Sequence, residues 1–241
     1  MGKYRGNKFI DLTYPPVSMS RLHVDSVRKE IGDRSILNDV FMSCQEGELI
    51  GLLGRNGAGK SSFLKIVFGS LAANQSFITV DDRKTNGLYS SSKLIQYLPQ
   101  HKFLPEHLKI GVLISCFCTK RNAALLMEQD WVNPYLNRKP SELSSGERRM
   151  VEIGMMMFSE ARFVLLDEPF NGIAPLHLES MKNMIRQNVF GKGIIITGQD
   201  YRNVIELSSR IILMQDGNTR EIKNTAELID FGYLPQSAGL S

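Results

Sequence analysis

Residues 54–62 read GRNGAGKSS, and the spacing inside that stretch decides the fold. Gly54 is followed by four residues and then by Gly59, Lys60 and Ser61, the phosphate-binding pattern G-x-x-x-x-G-K-[ST]. Glycines let such a loop curl until the backbone N–H groups of Arg55, Asn56, Gly57, Ala58, Gly59 and the residues up to Ser62 can point inward at phosphate oxygens. Lys60 adds a point charge for the β- and γ-phosphates, and the Ser61 hydroxyl is of the kind that holds Mg²⁺. The flanks agree. Residues 48–53 form a short apolar run of buried-strand type, and residues 60–68 carry apolar side chains at helical spacing. The helix then begins at the phosphates, where its dipole favours an anion. A glycine-rich turn matching by chance would lack both flanks, so the stretch is read as a nucleoside triphosphate site.

The rest of the chain sets bounds on what that site serves. With 241 residues it can bury the core of one α/β domain and a smaller inserted part. Its 42% apolar and 22% charged residues are ordinary for a globular protein. A net charge of +4, with Lys and Arg scattered, does not suggest nucleic acid as the partner. Three cysteines, Cys44, Cys116 and Cys118, lie in apolar surroundings without metal-ligand spacing and read as reduced thiols. No apolar run reaches the roughly 18–20 residues that span a bilayer, and the longest, residues 111–118, suits a core helix. The first 16 residues lack the apolar stretch of a signal peptide, and Gly6 breaks the myristoylation pattern. Residues 1–19, which include Tyr14-Pro15-Pro16, read as an extension outside the fold.

Short strands are expected at residues 22–27 and 35–43 around a Gly32-Asp33 turn, and again at 77–80, 93–98, 194–197 and 210–214. From Pro105 to Pro140 the pattern turns helical and irregular. A helix is expected from Ser144 or Ser145 to about Phe158, with Glu147 completing its cap, and another from Pro175 to about Val189. Strands alternating with helices predict a parallel sheet covered on both faces. Residues 163–168, FVLLDE, form a buried strand ending in two acids at the carboxyl edge, where open α/β folds hold ligands. Asp167 is the expected Mg²⁺-side carboxylate, and Glu168 a general base that can polarise an attacking water. Gln100, after a strand and Pro99, would read as a surface polar residue on its own.

Residues 143–149, LSSGERR, resemble the LSGGQ or LSGGE signature of ATP-binding cassette proteins. With Gln100 in the place of the Q-loop glutamine and residues 163–168 in that of Walker B, four motifs stand in the order of that family, over about residues 22–230. A phosphate loop alone leaves GTPases and kinases open; the combination does not. Residues 145–149 and 167–172 look closest to the ATPases of lipopolysaccharide export and branched-chain amino-acid import. The resemblance implies an α/β P-loop NTPase core sheet with an N-terminal antiparallel β part. It also implies a nucleotide-binding domain over residues 20–241, with a helical subdomain inserted at about 101–160. It implies ATP and Mg²⁺, with Ser61, Gln100 and Asp167 on the metal side. Two such domains would close head to tail, Ser144 and Gly146 of one covering the γ-phosphate held by Lys60 and Ser61 of the other. Hydrolysis would reopen the pair and move transmembrane permease subunits, which would place the chain in the cytoplasm, on the inner face of the membrane through those partners.

Four positions depart from the family pattern. Ile31 precedes the turn glycine where an aromatic ring normally stacks on adenine, with Tyr4 or Tyr14 as possible substitutes. Ser145 replaces the first signature glycine, Ala174 stands where an aspartate would follow Gly172-Ile173, and Gln199 falls at the place of the switch histidine unless the alignment slips by one. Lys60 and Glu168 are intact. Two functions are therefore carried forward: the energy-coupling ATPase of a transporter, and a slowly hydrolysing nucleotide-gated module that pairs with a more active partner.

Overall fold

The computed structural model describes residues 19–85 and 93–235. Tyr4, Tyr14 and nearly all of the expected N-terminal extension lie outside them. The chain begins with two long antiparallel strands, β1 (Arg21–Ile31) and β2 (Arg34–Gln45), turning at Gly32-Asp33. They run further at both ends than their apolar alternation indicates, because register shifts between Val24 and Val27 and again further along redirect the side chains. Next come β3 (Leu49–Leu53), α1 (Lys60–Phe68), β4 (Gln75–Val80) and the two-residue β5 (Arg83–Lys84). After β6 (Ile95–Leu98) the chain forms two short helices, α2 (Ile110–Phe117) and α3 (Lys120–Met127), and two 3₁₀ turns. Then α4 (Ser145–Phe158), β7 (Phe163–Leu166), α5 (Pro175–Asn188), β8 (Gly193–Thr197), α6 (Tyr201–Leu207) and β9 (Arg210–Gln215) alternate. The hairpin strand β10 (Asn218–Ile222) and α7 (Thr225–Asp230) follow.

Two sheets result. One is antiparallel, in the order β2-β1-β4-β5; the other runs β10-β9-β3-β8-β7-β6, parallel from β9 to β6, with β10 antiparallel at its edge. β3, β7 and β8 are buried at every position, which is why each reads as a continuous apolar run rather than an alternation. One core, with Phe63, Leu64, Ile50, Leu52 and Ile195, fills the space between the two sheets and α1. A second, with Leu166, Ile196, Met181, Ile185 and Val204, lies under α4, α5 and α6. A third gathers Ile110, Leu113, Ile114, Leu126 and Val132 around Val151 and Met155 of α4.

This arrangement brings the ends of β3, β8, β7 and β6 side by side, so the segments that leave them share one edge of the parallel sheet. The loop after β3 turns into α1 at Gly59, whose φ of 102° lies in the left-handed region, where only glycine sits without strain. Cys44 and Cys118 are buried as expected, but Cys116 is exposed on α2, two residues beyond the buried Ile114 and so turned about 200° around the helix from it.

Candidate functional site

The phosphate-loop residues, both acids, Gln100 and Gln199 lie on segments that leave the carboxyl ends of the parallel strands. Lys60 opens α1 and is buried; its Nζ donates to the carbonyls of Gly54 at 2.6 Å and Arg55 at 3.2 Å, curling the loop around its own ammonium. Burial pulls that ammonium below the ordinary lysine range, opposed by the charges of Glu168 and Asp167.

Asp167 follows β7, almost fully buried, and its N–H extends the ladder to the carbonyl of Leu98 at 2.9 Å. Its Oδ1 accepts from the Ser61 hydroxyl at 3.1 Å and from Thr197 Oγ1 at 2.9 Å, while Oδ2 accepts from the Tyr97 hydroxyl at 2.8 Å. Burial, and then the Asp167 carboxylate beside it, push the Tyr97 phenol far above its usual range, so it stays a donor. The loop serine and the strand-end acid thus put a hydroxyl and a carboxylate oxygen in contact. Hard oxygen donors of this kind fit Mg²⁺, which takes only one or two protein ligands and completes its shell with phosphate oxygens and water. Among the described residues there is no cluster of three acidic, histidine or cysteine side chains that could cage a metal without a phosphate.

Glu168 is buried, and its backbone stands at φ 47°, a left-handed conformation that non-glycine residues adopt rarely. Its N–H donates to Thr197 Oγ1 at 2.9 Å, so one threonine at the end of β8 braces both acids. Three amides converge on Glu168 Oε2: Gln100 Nε2 at 2.7 Å, Gln199 Nε2 at 3.1 Å and Asn171 Nδ2 at 3.4 Å. Oε1 has no hydrogen-bond partner among the described residues and is left to accept from water. Gln100, which sequence alone would leave on the surface, joins the acid two strands from the phosphate loop.

The remaining expected residues are placed elsewhere. Ser144 caps α4, exchanging hydrogen bonds with Glu147 in a complete capping box. Gly146 faces His177 of α5, where a Cβ would come within 2.6 Å of the ring. Among the described residues neither is hydrogen-bonded to the phosphate loop, and Ser144 and Ser145 are exposed. Ile31 is 59% exposed. A cavity of about 480 Å³ adjoins the phosphate loop, between Arg34–Ile36 on one side and Phe231 and Tyr233 on the other. Tyr97, Thr197 and Asn171 escape the sequence reading. The hydroxyl that ends the apolar run of β8 is the one local signal that marks Thr197.

A parallel sheet with a phosphate loop after its central strand, two acids after the next but one and a capped signature helix define a P-loop ATPase of the cassette type. The sequence model of the ABC transporter family matches residues 37–171, and the chain belongs to that family; it is an ABC ATPase. Among curated proteins it is 32% identical to a probable ABC transporter ATP-binding protein of Azorhizobium caulinodans, over 84% of this chain and 77% of that one. It is 29% identical to the lipopolysaccharide export system ATP-binding protein LptB of Escherichia coli, over 83% and 89% of the two chains. Among solved structures, a nucleotide-free ATP-binding cassette from an ABC transporter superposes with a TM-score of 0.76 at 20% identity, covering 92% of this chain and 98% of that one. No helix among the described residues is long and apolar enough to cross a membrane.

Proposed function

We propose that the chain hydrolyses ATP in a head-to-tail dimer and thereby drives transmembrane permease subunits. One observation carries the reading: the base candidate Glu168 is held by amides from three loops at the sheet edge that also presents the phosphate loop. Lys60 and the N–H groups of residues 55–62 would bind the β- and γ-phosphates. Ser61 and Asp167 would hold Mg²⁺ with Gln100 nearby, and the ion would neutralise charge on the phosphates. Glu168 Oε1 would orient the attacking water and take its proton, while Gln100 and Gln199 fix the other oxygen.

The separate placement of Ser144 and Gly146 supports completion of the site by a second copy or a paralogue. The helix start, exposed at Ser144 and Ser145 with Gly146 buried just inside it, suits the γ-phosphate of a partner for the reason the phosphate loop does. Closure is then worth more with ATP than with ADP, and hydrolysis reopens the pair. Residues 20–241 act as one nucleotide-binding domain, with the helices of about 101–160 as its permease-facing part and residues 1–19 outside it. The chain would sit on the cytoplasmic face of the membrane through those subunits. Lipopolysaccharide export belongs to the name of a relative; what carries over is the motor and not its cargo.

Glu168→Gln tests the reading. It removes the base and keeps the phosphate contacts, so the variant should retain ATP and elute as a stable dimer in ATP·Mg²⁺. A variant that binds ATP yet stays monomeric by light scattering overturns the sandwich.

A further inference from the structure

We infer that Arg149 is a positioning residue for Glu168, tying its strained backbone to the segment that delivers Gln100. This rests on the hydrolytic reading above. Arg149 lies one turn into α4, buried with about 7% of its surface exposed, and its guanidinium is spent almost entirely on backbone carbonyls of other elements. Nη2 donates to the carbonyls of Asp167 at 3.2 Å and Glu168 at 3.5 Å, and Nε to that of Pro169 at 3.1 Å. Nη1 donates to the carbonyl of Pro99 at 2.9 Å, one residue before Gln100, and to Glu152 Oε2 at 3.1 Å.

Three consecutive carbonyls at 167–169 bracket the one non-glycine residue of this loop in the left-handed region, Glu168. Such a conformation is strained for a residue with a Cβ and persists only where the surroundings over-determine it. Thr197 holds the N–H of Glu168, and Arg149 holds the carbonyl side. Five donors spread over a planar fork reach four carbonyls and Glu152 together; a lysine ammonium has three donors on one atom and cannot span them all. The ion pairs continue outward: Glu152 Oε1 accepts from Arg148, whose Nη1 meets Glu106 at 2.6 Å in the exposed loop after Gln100. A displacement of that loop therefore reaches the carbonyls around Glu168 through two arginines and one buried glutamate.

A residue that merely glues α4 to the sheet would alter stability, or stability and affinity together. A positioning residue separates turnover from binding. In Arg149→Lys, which keeps a cation against Glu152, ATP affinity should stay near that of wild type while kcat falls about a hundredfold, the cost of misplacing a reacting group by about 1 Å. Labelled-ATP titration and phosphate release on the full chain give the two numbers. Glu152→Gln, which keeps the buried shape but frees Nη1 of its ion pair, should lower kcat in the same direction and serves if the arginine variant does not fold. Wild-type turnover in either variant, or a loss of affinity as large as the loss of turnover, overturns the inference. A wild-type chain that binds ATP without hydrolysing it overturns the hydrolytic reading, and this inference with it.

Discussion

At residue scale the most informative departure is Gln199, whose amide reaches Glu168 Oε2 at 3.1 Å from the loop after β8. A neutral amide can donate a hydrogen bond to the phosphate but cannot become cationic as charge develops on the transferred phosphoryl group. Losing one well-placed donor of transition-state charge costs about 3 kcal/mol, a hundredfold or more in rate. Gln199→His should therefore raise steady-state hydrolysis without tightening ATP. Equal single-turnover rates for the two forms would mean that position 199 does not touch the chemistry. Ile31 is a second residue-scale case. An exposed aliphatic side chain lacks the ring face that adenine prefers, so ATP and GTP should compete for the site with similar affinity. A strong ATP preference in a competition titration would assign the stacking to another ring.

Elements are legible in the sequence to different depths, for reasons that lie in their environments. β3, β7 and β8 announce themselves because strands covered on both faces are uninterrupted apolar runs, and α4 because Ser144 and Glu147 form its capping box. β5 and β10 are silent in the sequence, since short or edge strands with exposed faces need no apolar pattern. The contacts of Arg149 and Tyr97 were also out of reach, because a side chain bonded to distant carbonyls or to an acid on a neighbouring strand has no local signature. Lys192 is of the same kind. It enters β8 from a 3₁₀ turn, buried, and donates to the carbonyls of Ser159 at 2.7 Å and Ala161 at 2.5 Å, closing the end of α4. Burial pulls its ammonium down to about 8, against the charges of Cys118, Glu46 and Glu160 that face it. Unfolded, it would titrate near 10.4, so between about 8 and 10.4 the unfolded chain holds the extra proton. Stability from this group thus rises with pH across that window, by up to about 1.4 kcal/mol per unit. Urea titrations of wild type and Lys192→Met at pH 7.5 and 9.5 check it: the difference in unfolding free energy should move in favour of wild type at the higher pH. A pH-independent difference refutes the assignment.

For the whole molecule, nucleotide binding and stability are one equilibrium. A ligand that binds only the folded chain stabilises it by RT ln(1 + [L]/Kd), about 2.7 kcal/mol at a hundredfold excess over Kd. At roughly 2–4 °C per kcal/mol for a chain of this size, ATP should raise the melting temperature by roughly 5–10 °C. Glu168→Gln is the background for the measurement, because it prevents turnover and so adds the dimer to the linkage. Its melting temperature in ATP·Mg²⁺ should climb with protein concentration, whereas that of the nucleotide-free chain should not. Lys60→Ala separates binding from folding. Without nucleotide Lys60 is a buried cation already pulled down in pKa by desolvation and bonded, among the described residues, to the loop carbonyls of Gly54 and Arg55. Its removal should leave the nucleotide-free melting temperature close to that of wild type. With ATP the phosphates lose their charged donor, and the shift should vanish. An ATP-dependent rise in Lys60→Ala equal to that of its parent would remove the phosphate loop from the site, and with it the edge of the sheet on which every other role depends.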